Sequence, residues 1–135
     1  YDVKKTSEGR KDPLVSQFND VEKIFQWHGD TFNIPEGAVR LAASKSCVNQ
    51  AYRYGNKVYG FQFHLEVDQQ MIERWLLNPE NKNELKELTG VIDPDQIKNE
   101  TPKYIDNLIE LSNNTFTKFI GLFGNIVKRG VLPSR

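Results

Sequence analysis

Apolar spacing changes character near residues 78–82, from the two-residue alternation of strands to the wider stripes of helices. That change confines the chain to a sheet-forming part followed by a helical part. In the first part, Val21 to Trp27 alternates partially and runs into the loop signal His28-Gly29-Asp30. Asn33-Ile34-Pro35-Glu36-Gly37 reads as a turn, and Ala38 to Ala43 as a short strand. Gln50 to Tyr54, Gly55-Asn56 and Lys57 to His64 read as a hairpin around a Gly-Asn turn. In its second arm Val58, Gln62 and His64 share one face, while Tyr59, Phe61, Phe63 and Leu65 share the other.

The helical part carries its own start signals. Asp68 is placed to cap a helix whose buried stripe is Met71, Ile72, Trp75 and Leu76. Asn78-Pro79 and Asp93-Pro94 each pair a capping side chain with a proline in the first turn. Thr101-Pro102 is expected to open a longer helix with Tyr104, Ile105, Leu108, Ile109, Phe116, Phe119, Ile120, Phe123, Ile126 and Val127 at helical spacing. Lys128-Arg129-Gly130 is expected to close it. Core packing is the simpler use of this Phe-rich stripe, and binding to a membrane surface or a partner is the other.

Charge narrows the partners. Eighteen Lys and Arg balance eighteen Asp and Glu, which removes the electrostatic case for nucleic acid or an anionic membrane. No apolar run approaches the ~20 residues of a membrane span. Cys47 is the single cysteine, so an internal disulfide framework and a cysteine-rich zinc site are excluded, and a reducing cytoplasm is expected. Tyr1 opens the chain and Met71 is the only methionine, as expected of a processed chain or a piece of a longer one.

The chemistry-bearing stretch is Gly60-Phe61-Gln62-Phe63-His64-Leu65-Glu66. Residues two apart in extended chain point the same way, so Glu66 can accept a hydrogen bond from one ring nitrogen of His64. That leaves the other nitrogen free to act on a nucleophile, two members of a nucleophile–base–orienter triad. The end of a strand is also where open α/β sheets build sites. Taken alone, a His-x-Glu after a strand is more often structural or solvated than catalytic.

Phe61 to Glu66 resembles the His-x-Glu signature of class I, triad-type glutamine amidotransferases. Gln26-Trp27-His28-Gly29-Asp30-Thr31-Phe32 resembles that family's loop motif, and Leu41-Ala42-Ala43-Ser44 through Asn49-Gln50-Ala51 resembles the segment between. The order and separations are family-like over roughly residues 1–76, and the nearest branch is the stand-alone one similar to the amidotransferase domain of GMP synthase. Leu65 stands where many relatives have proline. The resemblance implies an α/β fold, the C-terminal part of a flavodoxin-like amidotransferase domain over residues 1–77. Residues 78–135 are then a helical extension packed on the same domain.

The resemblance also implies a reaction. A cysteine thiolate attacks the side-chain amide of glutamine, histidine serves as base and then acid, glutamate orients the histidine, and ammonia passes to an acceptor such as a partner synthetase. By motif, His64 is the base and acid and Glu66 its orienter. His28, Gly29 and Asp30 lie where relatives contact the glutamine, largely through main-chain groups, and no cofactor is implied.

Cys47 does not fit the nucleophile's place. A nucleophile elbow needs small residues two positions to either side, where this chain has Lys45 and Asn49. The resemblance likewise implies a Gly-x-Cys-x-Gly motif upstream of the Trp-His-Gly-Asp loop, and these residues contain none. The isolated chain is therefore expected to be inactive and to require a complementing N-terminal half, since a half-sheet exposes an unpaired edge. Three alternatives stay open: a γ-glutamyl peptidase of the same fold, a non-catalytic interaction module, and a metal site at His28 and His64 with a carboxylate.

Overall fold

The computed structural model describes residues 1–124. Five strands form one antiparallel sheet: β1 (Asp2–Lys5), β2 (Val21–Lys23), β3 (Ala38–Ala43), β4 (Ala51–Tyr54) and β5 (Val58–Phe61), in the order β2-β1-β3-β4-β5. Three helices follow: α1 (Gln69–Leu77), α2 (Pro79–Glu87) and α3 (Pro94–Gly121). Leu41 and Ala42 of β3, Ala51 of β4, and Phe63, Leu65 and Val67 beyond β5 share one core with Ile72 of α1 and Ile105 and Leu108 of α3. The helices thus cover a sheet face that the strand alternation leaves apolar.

The connection from β1 to β2 folds back on itself and is pinned by Asp12. Its carboxylate accepts from the N–H groups of Leu14 (2.9 Å) and Val15 (3.0 Å), from Arg53 Nε (2.8 Å) and from the Tyr59 hydroxyl (3.2 Å). Arg53 and Tyr59 face each other across β4 and β5, so one buried carboxylate joins the connection to the hairpin. Gly9, in the same connection, passes so close to β3 that a Cβ there would run into the carbonyl oxygen of Leu41.

The three side-chain caps form as expected. Asp68 accepts from Met71 N–H, Asn78 from Glu80 and Asn81 N–H, and Asp93 from Asp95 and Gln96 N–H. Four other expectations are corrected. First, β2 ends at Lys23, and Phe25 beyond it makes only an isolated bridge, to His64. Second, the hairpin pairs Tyr54 with Val58, so its loop includes Lys57 with Gly55-Asn56; Gly55 supplies the positive φ of 58°.

Third, Thr101-Pro102 opens nothing, because Pro102 lies inside the single helix α3. Pro102 has no N–H for the carbonyl four residues back, but Thr101 Oγ1 donates to Ile97 O at 2.7 Å. Ile97 and Ile105, on either side, both meet the core, and that burial carries the helix through. Fourth, the α3 stripe is only partly core. Ile105 and Leu108 are buried, whereas Tyr104, Ile109, Phe116, Ile120 and Phe123 are exposed. The apolar arc is wider than the sheet face beneath it. The expected continuation through Ile126 and Val127 and the Lys128-Arg129-Gly130 close lie outside the described residues.

Candidate active site

His64 sits three residues past the end of β5, where the chain leaves β4 and crosses to Phe25. Its N–H donates to Phe25 O at 3.0 Å, which fixes the backbone although no strand continues here. The alternation of the hairpin persists: Phe63 and Leu65 turn into the core and His64 and Glu66 turn out. Glu66 Oε1 accepts from His64 Nδ1–H at 2.6 Å. The other ring nitrogen, Nε2, lies 3.4 Å from the carbonyl oxygen of Trp27, a long contact that leaves it weakly held.

Two aromatic rings flank the imidazole, and a third packs on both of them. Trp75 of α1 stands edge-on to it at 5.2 Å between centroids, and Phe25 is tilted at 6.1 Å. Trp27 packs on both, 6.0 Å from Trp75 and 6.3 Å from Phe25. These rings keep the imidazole in one orientation and shield one side from water. In the sequence Trp27 belongs to the loop motif, whereas Trp75 reads only as a member of a helix stripe.

Partial burial pushes the Glu66 carboxyl up. The hydrogen bond from His64, backbone N–H groups and the imidazole charge outweigh it, so the carboxyl stays below its ordinary 4.5. A depressed folded-state value adds stability that is complete above the unfolded value and lost as pH falls through the folded one. The chain should therefore lose stability below pH 4.5 more steeply than Glu66→Gln does. Urea midpoints of both proteins, followed from pH 7 into the acid range, check this; parallel curves would show that the pair carries no linkage.

The loop residues make polar contacts of their own. His28 Nδ1–H donates to Asp30 O at 2.9 Å, closing the loop on itself. His28 Nε2 is 3.1 Å from Gln26 Oε1, and that oxygen accepts from Gln50 Nε2 at 3.0 Å. Gln50 Nε2 reaches Ser44 Oγ at 3.0 Å, so a chain of polar side chains ties the loop to the ends of β3 and β4. His28, Gly29 and Asp30 border a cavity of about 530 Å³ that also touches Cys47. His64 and Glu66 do not line it. Thr31 Oγ1 is 3.2 Å from Cys47 Sγ.

Among the described residues, no group of three or more His, Cys, Asp or Glu stands close enough to hold a metal ion. The His28 ring is turned to Asp30 and Gln26 rather than to His64. No helix among them is long and apolar enough to cross a membrane.

The family model for class-I glutamine amidotransferases matches residues 2–79, more than half of the chain, and the chain belongs to that family. It is 36% identical over 73 residues to the glutamine amidotransferase-like protein YfeJ of Salmonella typhimurium, covering 54% of this chain and 30% of that protein. It is 32% identical over 73 residues to the glutamine-hydrolysing GMP synthase of Christiangramia forsetii, covering 49% of this chain and 14% of that one. A glutamine amidotransferase structure from Thermotoga maritima superposes with a TM-score of 0.75 at 32% identity, over 89% of this chain and 49% of the other. The α/β fold is thus that of class I glutamine amidotransferases, and the chain spans about half of that solved relative.

Proposed function

We propose that this chain supplies His64 and Glu66 to a Cys-His-Glu triad that hydrolyses the side-chain amide of glutamine. The 2.6 Å contact between Glu66 Oε1 and His64 Nδ1 carries the reading. Glu66 accepts a hydrogen bond from Nδ1–H, which fixes that tautomer and leaves the Nε2 lone pair to accept the proton of a thiol. The thiolate adds to the amide carbon. His64 returns the proton to the departing nitrogen, ammonia leaves, and water then cleaves the thioester to glutamate.

The nucleophile comes from outside this chain, in a Gly-x-Cys-x-Gly segment of a complementing N-terminal half. Cys47 is not it: Thr31 and the loop occupy its thiol, and its flanking residues are bulky. His28, Gly29 and Asp30 bind the glutamine beside the cavity they border, mainly through main-chain groups. Residues 1–77 form the amidotransferase part, and the described residues from 78 to 124 an extension packed on it. Ammonia goes to an acceptor bound by a synthetase, in line with the glutamine-hydrolysing GMP synthase among the relatives. The cytoplasm is the expected setting, where a lone thiol stays reduced.

Glutamate release from glutamine tests this, measured with the chain alone and with the parent polypeptide that adds the upstream half. Turnover is expected only from the parent. Turnover by the chain alone would make Cys47 or another group the nucleophile, and none from either would leave a binding module. Faster release from γ-glutamyl peptides than from glutamine would move the substrate to that class.

A further inference from the structure

We infer that Glu84, on helix α2, is a positioning residue for His64 that acts through Trp27; the catalytic part of this inference rests on the triad reading above. The Trp27 indole N–H donates to Glu84 Oε2 at 3.3 Å. An indole N–H can only donate, and a carboxylate is its strongest available acceptor. The same residue's carbonyl oxygen is what His64 Nε2 faces, at 3.4 Å. One residue therefore touches the helical part with its side chain and the imidazole with its backbone.

The backbone at Trp27 needs such an anchor. The strand before it ends at Lys23; beyond it Ile24 exchanges backbone hydrogen bonds with Tyr1, Phe25 bridges to His64 and the Gln26 side chain accepts from Gln50, so Trp27 lies past the last backbone tie to the sheet. No ladder hydrogen bond reaches the Trp27 peptide itself, so between the tied neighbours Gln26 and His28 its direction also depends on where the indole is held. Trp75 supports the ring edge-on at 6.0 Å and itself contacts His64. Glu84 accepts from the indole N–H at the ring's polar edge.

Helix α2 is placed to deliver that carboxylate. Asn78 caps its start, Asn81 Nδ2 donates to Trp75 O at 2.9 Å, and Leu85 is buried. Glu84 lies beyond residue 79, where the match to the family model ends. A helix that extends past the residues matched by the family model thus reaches back to the imidazole through one tryptophan. The exposed position of Glu84 limits the contact to a modest strength, enough to orient a peptide plane without governing folding.

The test uses the full chain and its small number of reporters, two tryptophans and two histidines. Proton–nitrogen spectra of the Trp27 indole and the His64 ring are compared in wild type, Glu84→Ala and Glu84→Gln. Glu84→Ala is expected to move both the Trp27 indole N–H and the His64 ring resonances. Glu84→Gln, whose amide oxygen still accepts, returns both toward wild type. In a Trp27→Phe background, Glu84→Ala leaves the His64 resonances where Trp27→Phe alone put them, since no indole N–H remains.

An unmoved His64 in Glu84→Ala, or no recovery in Glu84→Gln, would overturn the coupling. Alanine is a good helix former, so α2 persists in the variant, and an unchanged unfolding midpoint confirms that. In the parent enzyme Glu84→Ala is expected to cost on the order of tenfold in kcat with little change in KM, the effect of a sub-ångström displacement at a base. The resonances do not depend on turnover. Intact coupling in an inactive parent would overturn the triad reading alone, and lost coupling in an active parent would overturn this one alone.

Discussion

His64→Ala in the parent polypeptide is expected to lower the glutaminase kcat by roughly 10²- to 10⁴-fold, the contribution of a positioned acid–base group. Two steps lose their proton carrier at once: the thiol is no longer deprotonated at the moment of attack, and the leaving nitrogen is no longer protonated as ammonia. Neither step is rescued by Glu66, because without the ring nothing connects the carboxylate to the reacting atoms. Glu66→Gln separates orientation from charge. Its amide can present either oxygen or NH₂ to Nδ1, and the NH₂ face selects the wrong tautomer, so a loss of about 10²-fold or more is expected. Steady-state glutamate release with each variant, at equal folded concentration, checks both values. Activity within a few-fold of the parent in His64→Ala would remove the imidazole from the chemistry. The residue would then be a structural member of the Phe25–Trp27–Trp75 cluster.

What the sequence reveals and what it hides divide along contact range. The caps at Asp68, Asn78 and Asp93 are legible because each bond joins residues two or three apart. The His64–Glu66 pair is legible for the same reason: extended chain puts alternate residues on one side even where no partner strand runs alongside. The bridge from Phe25 to His64 is not, since it brings together segments that no local pattern relates. Neither is the Trp27–Glu84 contact, which crosses from the sheet part to the helical part. Pro102 misleads because proline in a first turn and proline tolerated mid-helix look alike locally; Ile97 and Ile105 decide the matter by packing on the same core. The outer half of the α3 stripe misleads because periodicity identifies an apolar face without identifying what covers it.

Asp12→Ala should destabilise the fold by about 3 kcal/mol, toward the lower end for breaking a buried ion pair because Arg53 is partly exposed. In a domain of this size that is roughly a 10 °C fall in Tm. The loss exceeds that of one salt bridge, since four donors converge on the carboxylate: two backbone N–H groups, the guanidinium and the Tyr59 hydroxyl. Alanine leaves the buried N–H groups of Leu14 and Val15 without an acceptor and strands the charge of Arg53. Asp12→Asn should lose less, because its amide oxygen can still cap Leu14 and Val15 while its NH₂ meets Arg53 donor to donor. Tyr59 gives an independent reading. Burial first, and then the nearby Asp12 charge and hydrogen bond, push its hydroxyl up to about 12. A raised phenol value means stability that is complete below the unfolded value and lost as pH rises toward 12. Without Asp12 the phenol should ionise at lower pH, visible as an earlier rise in ultraviolet absorbance. Thermal unfolding and that titration together separate a lost network from a merely smaller side chain. A variant that is destabilised while Tyr59 titrates as before would show that Asp12 acts only as a cap on the β1–β2 connection, with the hairpin held independently.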